Sequence, residues 1–408
     1  MLKQYNIKKI DDLFPYVEHS LRTICKTVLY GAQLYSDRLF SDIYVKGLDR
    51  IKDFKTKNLD CSLIFGSRHR SHLDYYETQL ALGKAGIPTR IQAGDNLFIG
   101  PFDPVLRETG AFMAIRDERG FYSKKWLLNL IYSYLPQKMG PYNKEYEIYI
   151  DKKLSKLLYE GYLKHILSKS EHSNDILIYP EYVRYNGNIK YGRSYSGNLL
   201  DFSPYIFLVL QGINSKINRE LFFVPVNISY ERVIEDSFMV KIPKLKEKFS
   251  RDFVYLKEFA YIATRGLFPF FRRGKCALKF GEPYKMEKTD NKKIAIRDSK
   301  MLRNKVGSLE TPFSPQIIFY SMNKEPKVNL ADLENRVVDN ISKLERSSID
   351  VSHLKFNDKI KPLDKMIEET LYFFDAPGRR YTRVKDNSLE IVDNSIVSQY
   401  ANHIAHLF

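Results

Sequence analysis

Six short apolar runs constrain this chain more than any other feature. They are CSLIF from Cys61, Thr89–Ala93, Ala111–Ile115, DILIY from Asp175, LFFVPVNI from Leu221, and Cys276–Phe280. Each is strand-length and most end in glycine, proline or a polar turn, as buried strands do. Between them lie stretches with helical spacing: Ser71 to Gly86, with Ser71 as a candidate N-cap and Gly86-Ile87-Pro88 as a stop, then 122–135, 146–168, 202–212 and 251–264. Strands alternating with helices imply a largely parallel sheet wrapped by helices, an α/β fold. Apolar residues at helical spacing (Leu13, Val17, Leu21, Ile24, Val28) mark residues 1–60 as a helical N-terminal segment. After about 286 the strand signals stop, and helical patterns near 328–345, 362–374 and 389–405 suggest a mostly helical C-terminal region, 286–408. The strand-bearing part is then 61–285. At roughly 150 residues per domain, 408 residues fit two or three such units.

Charge narrows the partners. Lys and Arg number 65 against 49 Asp and Glu, a net +16 that calls for a polyanionic partner: nucleic acid, an anionic membrane or a phosphorylated substrate. Three scattered cysteines, Cys25, Cys61 and Cys276, form no CxxC pair and fit reduced thiols in a cytosolic compartment. The N-terminal MLKQYNIKKIDDLF lacks the apolar stretch of a signal peptide, and no run reaches the ~18 apolar residues of a spanning helix. The expected protein is soluble, or lies on a membrane without crossing it.

The chemistry-bearing feature is His69-Arg-Ser-His-Leu-Asp74. A histidine with a carboxylate suits a general base whose tautomer the carboxylate fixes. Five residues on a helix turn through about 140°, so the pair meets only if His69 sits in a loop and Asp74 in the first turn of the following helix. The strand–loop–helix pattern of 61–86 supplies that arrangement. His72 reads as structural. His353 and Asp358 repeat the spacing without a preceding strand or glycine turn, so no function is expected of them.

The ordered blocks FGSRHRSHLDYYETQLAL, RETGAFMAIRD, IYPEYVRYNGNIKYGRSYSGNLL and LFFVPVNISYERV resemble the glycerol-3-phosphate acyltransferase family, which includes dihydroxyacetone-phosphate acyltransferases. The resemblance covers about 61–285. It implies a glycerolipid-acyltransferase-like fold, with His69 and Asp74 as the HxxxxD catalytic pair. It places Arg116 on the phosphate-contacting arginine after Gly110, and Pro225 in the supporting fourth block. The family's Glu-Gly-x-Arg-Ser-Arg block is split here: Glu181 stands apart from Gly192, Arg193 and Ser194, and Tyr195 occupies the second arginine's place. Asn186-Gly187 suits a hairpin turn that returns Gly192 toward Glu181, and Arg184 is a candidate replacement for the missing arginine.

The implied reaction moves an acyl group from acyl-CoA or acyl-acyl carrier protein to the 1-hydroxyl of glycerol 3-phosphate, with no metal or redox cofactor. Dihydroxyacetone phosphate and lysophosphatidate are alternative acceptors. A phosphate dianion wants forked arginine donors, and Arg116, Arg193 and Arg70 are candidates. A lipid product implies a peripheral position on the cytoplasmic face of the cell membrane. Residues 241–275 hold ten Lys/Arg against three Asp/Glu, with Phe268, Phe270 and Phe271 beside Arg272 and Arg273, and suit an anionic interface. No nucleic-acid module accompanies them, so nucleic acid is not expected. The reading from another class is a non-catalytic basic protein that binds membranes or nucleic acid.

Overall fold

The structure is a computed structural model. It describes residues 33–94, 111–114, 120–122, 148–150, 152–168, 175–185, 188–191, 196–239, isolated positions between 241 and 264, 274–376 and 379–408. Its centre is an eight-stranded sheet. The strands are β1 (Phe40–Lys46), β2 (Cys61–Ser67), β3 (Thr89–Gly94), β4 (Ala111–Ala114), β5 (Asp175–Ile178), β6 (Glu220–Tyr230), β7 (Gly274–Phe280) and β8 (Tyr284–Lys285). Their order is β1-β7-β6-β2-β5-β3-β4, with β8 paired to β6. The run from β6 through β2, β5 and β3 to β4 is parallel, and β7 runs antiparallel to β6. The expected largely parallel sheet is present.

The sheet's two faces carry separate cores. On one, β2, β6 and β7 give Leu63, Phe65, Ile228 and Leu278 to a cluster completed by Ile51 of α1 (Leu48–Lys57) and Leu73 and Leu82 of α2 (Leu73–Lys84). On the other, Ile64, Ile176 and Phe223 meet Leu163 of α3 (Lys152–Ser168), Phe207 and Leu210 of α4 (Pro204–Asn214), and Leu302 and Val306 of α5 (Lys292–Ser308). Strands buried on both faces need continuous apolar sequence, which is why β2 and β5 read as unbroken runs. The fit at α5 is close: a Cβ on Gly66 would lie 2.4 Å from Leu302 Cδ2.

Two sequence expectations change. Residues 40–46 are strand β1, not helix; Ile43, Tyr44 and Val45 are β-formers, and they pair in parallel with Cys276–Leu278 at the sheet edge. Residues 1–32 lie outside the described part. The second change concerns 286–408. Helix α5, capped by the Asn291 side chain on Lys293 N at 2.9 Å, packs on the sheet, so by packing the sheet unit runs to about 310 rather than 285.

Beyond it stands a C-terminal module with its own core. It is built on α6 (Ser314–Ser321), α7 (Leu330–Arg346), α8 (Leu363–Phe374) and α9 (Asn394–Ile404). In α7, Leu333, Val337, Ile341 and Leu344 are buried at helical spacing, so one face is core and the other solvent. The module also holds a small antiparallel sheet of Lys327–Asn329, Thr382–Lys385 and Ser388–Ile391, which the helical reading did not anticipate. None of the described helices is long and apolar enough to cross a membrane.

Candidate active site

β2 carries seven consecutive buried residues to the middle of the parallel sheet, then releases the chain into the loop 68–72 before α2. Loops at the carboxyl ends of parallel strands are where α/β sheets place ligands. His69 lies in this loop and Asp74 in the first turn of α2. His69 Nδ1 is 3.0 Å from Asp74 Oδ2. The carboxylate does more than meet the imidazole: the same oxygen accepts the Arg70 and Ser71 amides at 2.5 and 2.9 Å, and Oδ1 accepts the Tyr230 hydroxyl at 2.8 Å. Asp74 therefore folds the loop as well as orienting the ring. With Nδ1–H donated to Asp74, the lone pair is on Nε2, the tautomer a general base requires. His69 is 7% exposed, and the rings of Tyr179 and His72 stand 5.0 and 5.9 Å from its own.

Beneath the loop, Glu181 accepts the His69 amide at 2.6 Å and the Leu200 amide at 3.3 Å. Burial pushes the Glu181 carboxyl up to about 7, against the pull of Arg68 and the two amides. Glu181, a candidate glycerol-phosphate contact by the sequence, has both oxygens on backbone amides and holds the backbone at His69.

The arginines on either side of His69 are spent differently from expectation. Arg68 and Arg70 both meet Glu310, in the loop after α5. Arg70 Nη1 donates to Glu310 Oε1 at 2.8 Å and to the Ile228 carbonyl at 3.3 Å, and Nη2 meets Oε2. Arg68 Nη1 reaches the same Oε2 at 3.2 Å, and its Nη2 donates to the Gly197 carbonyl at 2.9 Å. Ser229 and Asn227 donate to Glu310 as well, at 2.8 and 3.3 Å. Arg70, a candidate phosphate contact by the sequence, is buried in an ion pair with Glu310. Burial would raise the Glu310 carboxyl, but Arg70 and Arg68 overcome it and hold it at about 2. Burial, with Arg70 beside it, brings Arg68 down to about 10. Gly197 has φ +84°, and a Cβ on it would lie 2.1 Å from the Gln399 carbonyl of α9. The loop is therefore braced from the C-terminal module too.

His72 takes the position before α2. Glu235 accepts its amide and the Ser71 hydroxyl, each at 2.8 Å, and its Nε2 lies 3.3 Å from Glu258. Pro225 is buried on β6 in register with Gly66, and its carbonyl accepts the Gly281 amide at 2.8 Å. His353 packs against Tyr44 and Phe313, with ring centroids 4.3 and 5.0 Å away, and burial lowers it to about 4. Asp358 is in an exposed turn with φ 60°. Gly110, Arg116, Asn186, Gly187, Gly192, Arg193, Ser194 and Tyr195 lie outside the described residues, as do the Arg184 side chain and Phe268 to Arg273. Sequence reasoning passed over Arg68, Glu310, Tyr230 as a partner of Asp74, and Glu235. Nothing local marked a carboxylate 240 residues away.

No protein-family model matches the chain. A glycerol-3-phosphate acyltransferase of Actinobacillus pleuropneumoniae serotype 5b is 24% identical over 430 aligned residues, covering 98% of this chain and 45% of that protein. Those of Glaesserella parasuis and Pseudoalteromonas atlantica are each 28% identical, over 68% and 60% of this chain and 28% and 24% of theirs. The similarity is consistent with the glycerol-3-phosphate acyltransferase family. The chain spans less than half the length of these acyltransferase relatives. Among solved structures, the 1-acyl-sn-glycerophosphate acyltransferase of Thermotoga maritima overlaps 69% of this chain and 80% of its own, at 16% identity and a TM-score of 0.33.

Proposed function

We propose that this chain is an acyltransferase that moves a fatty acyl group from a thioester to the 1-hydroxyl of glycerol 3-phosphate. The observation that carries the reading is the buried His69–Asp74 pair, 3.0 Å apart, in the loop at the carboxyl end of a parallel strand. The similarity to proteins named glycerol-3-phosphate acyltransferases supplies the substrate class. His69 Nε2 takes the proton of the acceptor hydroxyl. The alkoxide attacks the thioester carbonyl, and the tetrahedral intermediate collapses to an ester. The thiolate leaves with the proton held by His69, and the imidazole is regenerated. Asp74 steadies the imidazolium formed in between. The donor is acyl-CoA or acyl-acyl carrier protein.

Arg116 and Arg193 are proposed as phosphate ligands on the family resemblance. Residues 241–275 are proposed to rest on an anionic membrane at its cytoplasmic face. The test is an incubation of the full chain with a radiolabelled acyl thioester and each acceptor in turn: glycerol 3-phosphate, dihydroxyacetone phosphate and lysophosphatidate. Labelled lysophosphatidate from glycerol 3-phosphate is expected. Transfer confined to another acceptor would reassign the substrate, and no transfer from either donor would remove the catalytic reading. Arg116→Ala and Arg193→Ala should each raise the acceptor KM about ten- to a hundredfold, more than they lower kcat. Reversing Arg272 and Arg273 to Glu should cut sedimentation with anionic vesicles.

A further inference from the structure

Away from the loop of His69, a cleft of about 1120 Å³ opens between the sheet edge, β1 with β7, and residues 350–369 of the C-terminal module. That is slightly larger than common small-molecule sites, roughly 300–1,000 Å³. Its lining has two kinds of surface. One is apolar and wet: Tyr44 on β1 is 41% exposed, and Phe356 is 69% exposed. Large apolar side chains gathered in one concavity and left in water mark a binding surface more often than scattered ones do. The other is cationic: Lys46, Lys275, Lys279, Lys355, Lys361 and Lys365 line the cleft against two acids, Asp350 and Glu369.

Each of these acids serves two lysines. Asp350 lies 3.0 Å from Lys279 and 3.2 Å from Lys46, and Glu369 lies 2.8 Å from Lys361 and 4.0 Å from Lys275. Lys355 pairs with Glu345 outside the lining, but one carboxylate cannot neutralise two ammonium groups, so the cleft still keeps a positive surplus. Lys279 is itself nearly buried, and burial lowers its ammonium despite the Asp350 partner, the state an added anion would relieve.

We propose that this cleft is a second binding site, for a single-chain anionic amphiphile. The acidic head, a phosphate or carboxylate, sits among Lys46, Lys275 and Lys279, and the alkyl chain lies along Tyr44 and Phe356. Compact ammonium groups suit a mobile headgroup with several oxygens rather than one fixed fork. The apolar wall distinguishes this ligand from free phosphate. The inference does not depend on the proposed transfer reaction, and its test reads binding alone.

The experiment is titration calorimetry of the full chain with dodecyl phosphate below its micellar concentration, inorganic phosphate, the neutral dodecyl maltoside, an acidic Glu-rich peptide, and vesicles doped with dodecyl phosphate. The Lys46→Glu/Lys365→Glu double variant and Phe356→Ser, all at exposed positions, are titrated beside the wild type. Dodecyl phosphate should bind with salt-sensitive affinity, weakened about tenfold in the lysine double variant. It should weaken measurably in Phe356→Ser, while His69→Ala keeps the groove-dependent binding. Comparison of monomer with doped vesicles tells whether the amphiphile comes free or from a bilayer, both within the proposal. Equal affinity for inorganic phosphate or for dodecyl maltoside would overturn it. So would binding unchanged in both groove variants, which would place the amphiphile at the His69 site. Tighter capture of the peptide, lost in the lysine variant, would hand the cleft to an acidic macromolecule.

Discussion

In the loop after β2, two guanidiniums share one carboxylate out of water; in the cleft beside β1, four of six lysines share two carboxylates, and Lys355 turns to Glu345. Both arrays lie against the same sheet, yet they do different work. At the loop every group is buried, and Glu310 also collects the Ser229 and Asn227 side chains. Such an array has little freedom, which fixes where His69 sits. In the cleft the lysines outnumber the acids among them, and they range from the largely exposed Lys46 to the nearly buried Lys279, so part of their charge is available to something else. Matched charge positions a site, and surplus charge recruits a ligand. The comparison can be broken from either side.

The largest effect should come at the centre of the matched array. His69→Ala should lower acyl transfer by about 10²–10⁴-fold, the range general-base groups supply, while the thermal transition stays near that of wild type. Asp74→Asn should lower it as well, but with some loss of stability, because Asp74 also holds the Arg70 and Ser71 amides and the Tyr230 hydroxyl. His353→Ala, in the cleft wall, should leave turnover alone. A His353 variant that lost transfer, or a His69 variant that kept it, would put the chemistry on the wrong side of the sheet.

Glu310→Ala should follow. It leaves two buried guanidiniums without their carboxylate, a loss of roughly 3–5 kcal/mol for a broken buried pair. Urea denaturation of the full chain would read it as a lower midpoint. A change below about 1 kcal/mol would mean that Arg68 and Arg70 find water instead, and the contrast with the cleft would fail.

A pH series sharpens the same point at Glu181. Its folded carboxyl is raised, to about 7, by burial. A raised acid contributes stability that is fully present below its unfolded value, about 4.3, and lost as pH rises through 7. The size is on the order of 3 kcal/mol for a shift of this kind. Glu77, raised to about 7 by burial, runs the same way. His406 and His353, lowered to about 4 by burial, run oppositely: their contribution is present above about 6.5 and lost as pH falls through 4. The difference between wild type and Glu181→Gln isolates the one group. It should slope between pH 4.5 and 7 and flatten outside, and a difference curve flat throughout would show that Glu181 stays solvated.

These regions were not equally legible in the sequence. The six apolar runs gave six sheet strands, because residues buried on both faces of a parallel sheet must be apolar without interruption. The His69–Asp74 pair was readable for the same reason: a strand, a glycine and a helix start leave one place for the loop. β1 was missed because an edge strand buries little, and FSDIYVK shows neither a continuous run nor clean alternation. Helix α5 was missed because its sequence is dominated by Lys and Arg, and its buried face is four small or branched residues, Ala295, Leu302, Val306 and Gly307, with two polar ones. Glu310 could not be read at all. A carboxylate that pairs with arginines 240 residues earlier carries no local pattern, and its partner is chosen by the packing of α5 on the sheet.

The smallest effect belongs to the surplus array and tests it most directly. Asp350 is pulled well below the carboxylate range, despite burial, by its bonds to Ser352 and by Lys279. Its two lysines differ in exposure: the Lys46 side chain is 72% exposed and that of Lys279 9%. Lys46→Ala removes an ion pair in high dielectric while Asp350 keeps Lys279, so it should change stability by no more than about 0.5 kcal/mol, and by less at high salt. Lys279→Ala leaves a hole under the cleft and shifts Asp350 onto its exposed partner, so its effect should be the larger and less sensitive to salt. Denaturation of both variants at low and high ionic strength separates them. If Lys46→Ala proved as damaging as Lys279→Ala, the exposed lysines would be part of the framework, and the cleft would hold matched charge like the loop of His69 rather than charge in reserve for a ligand.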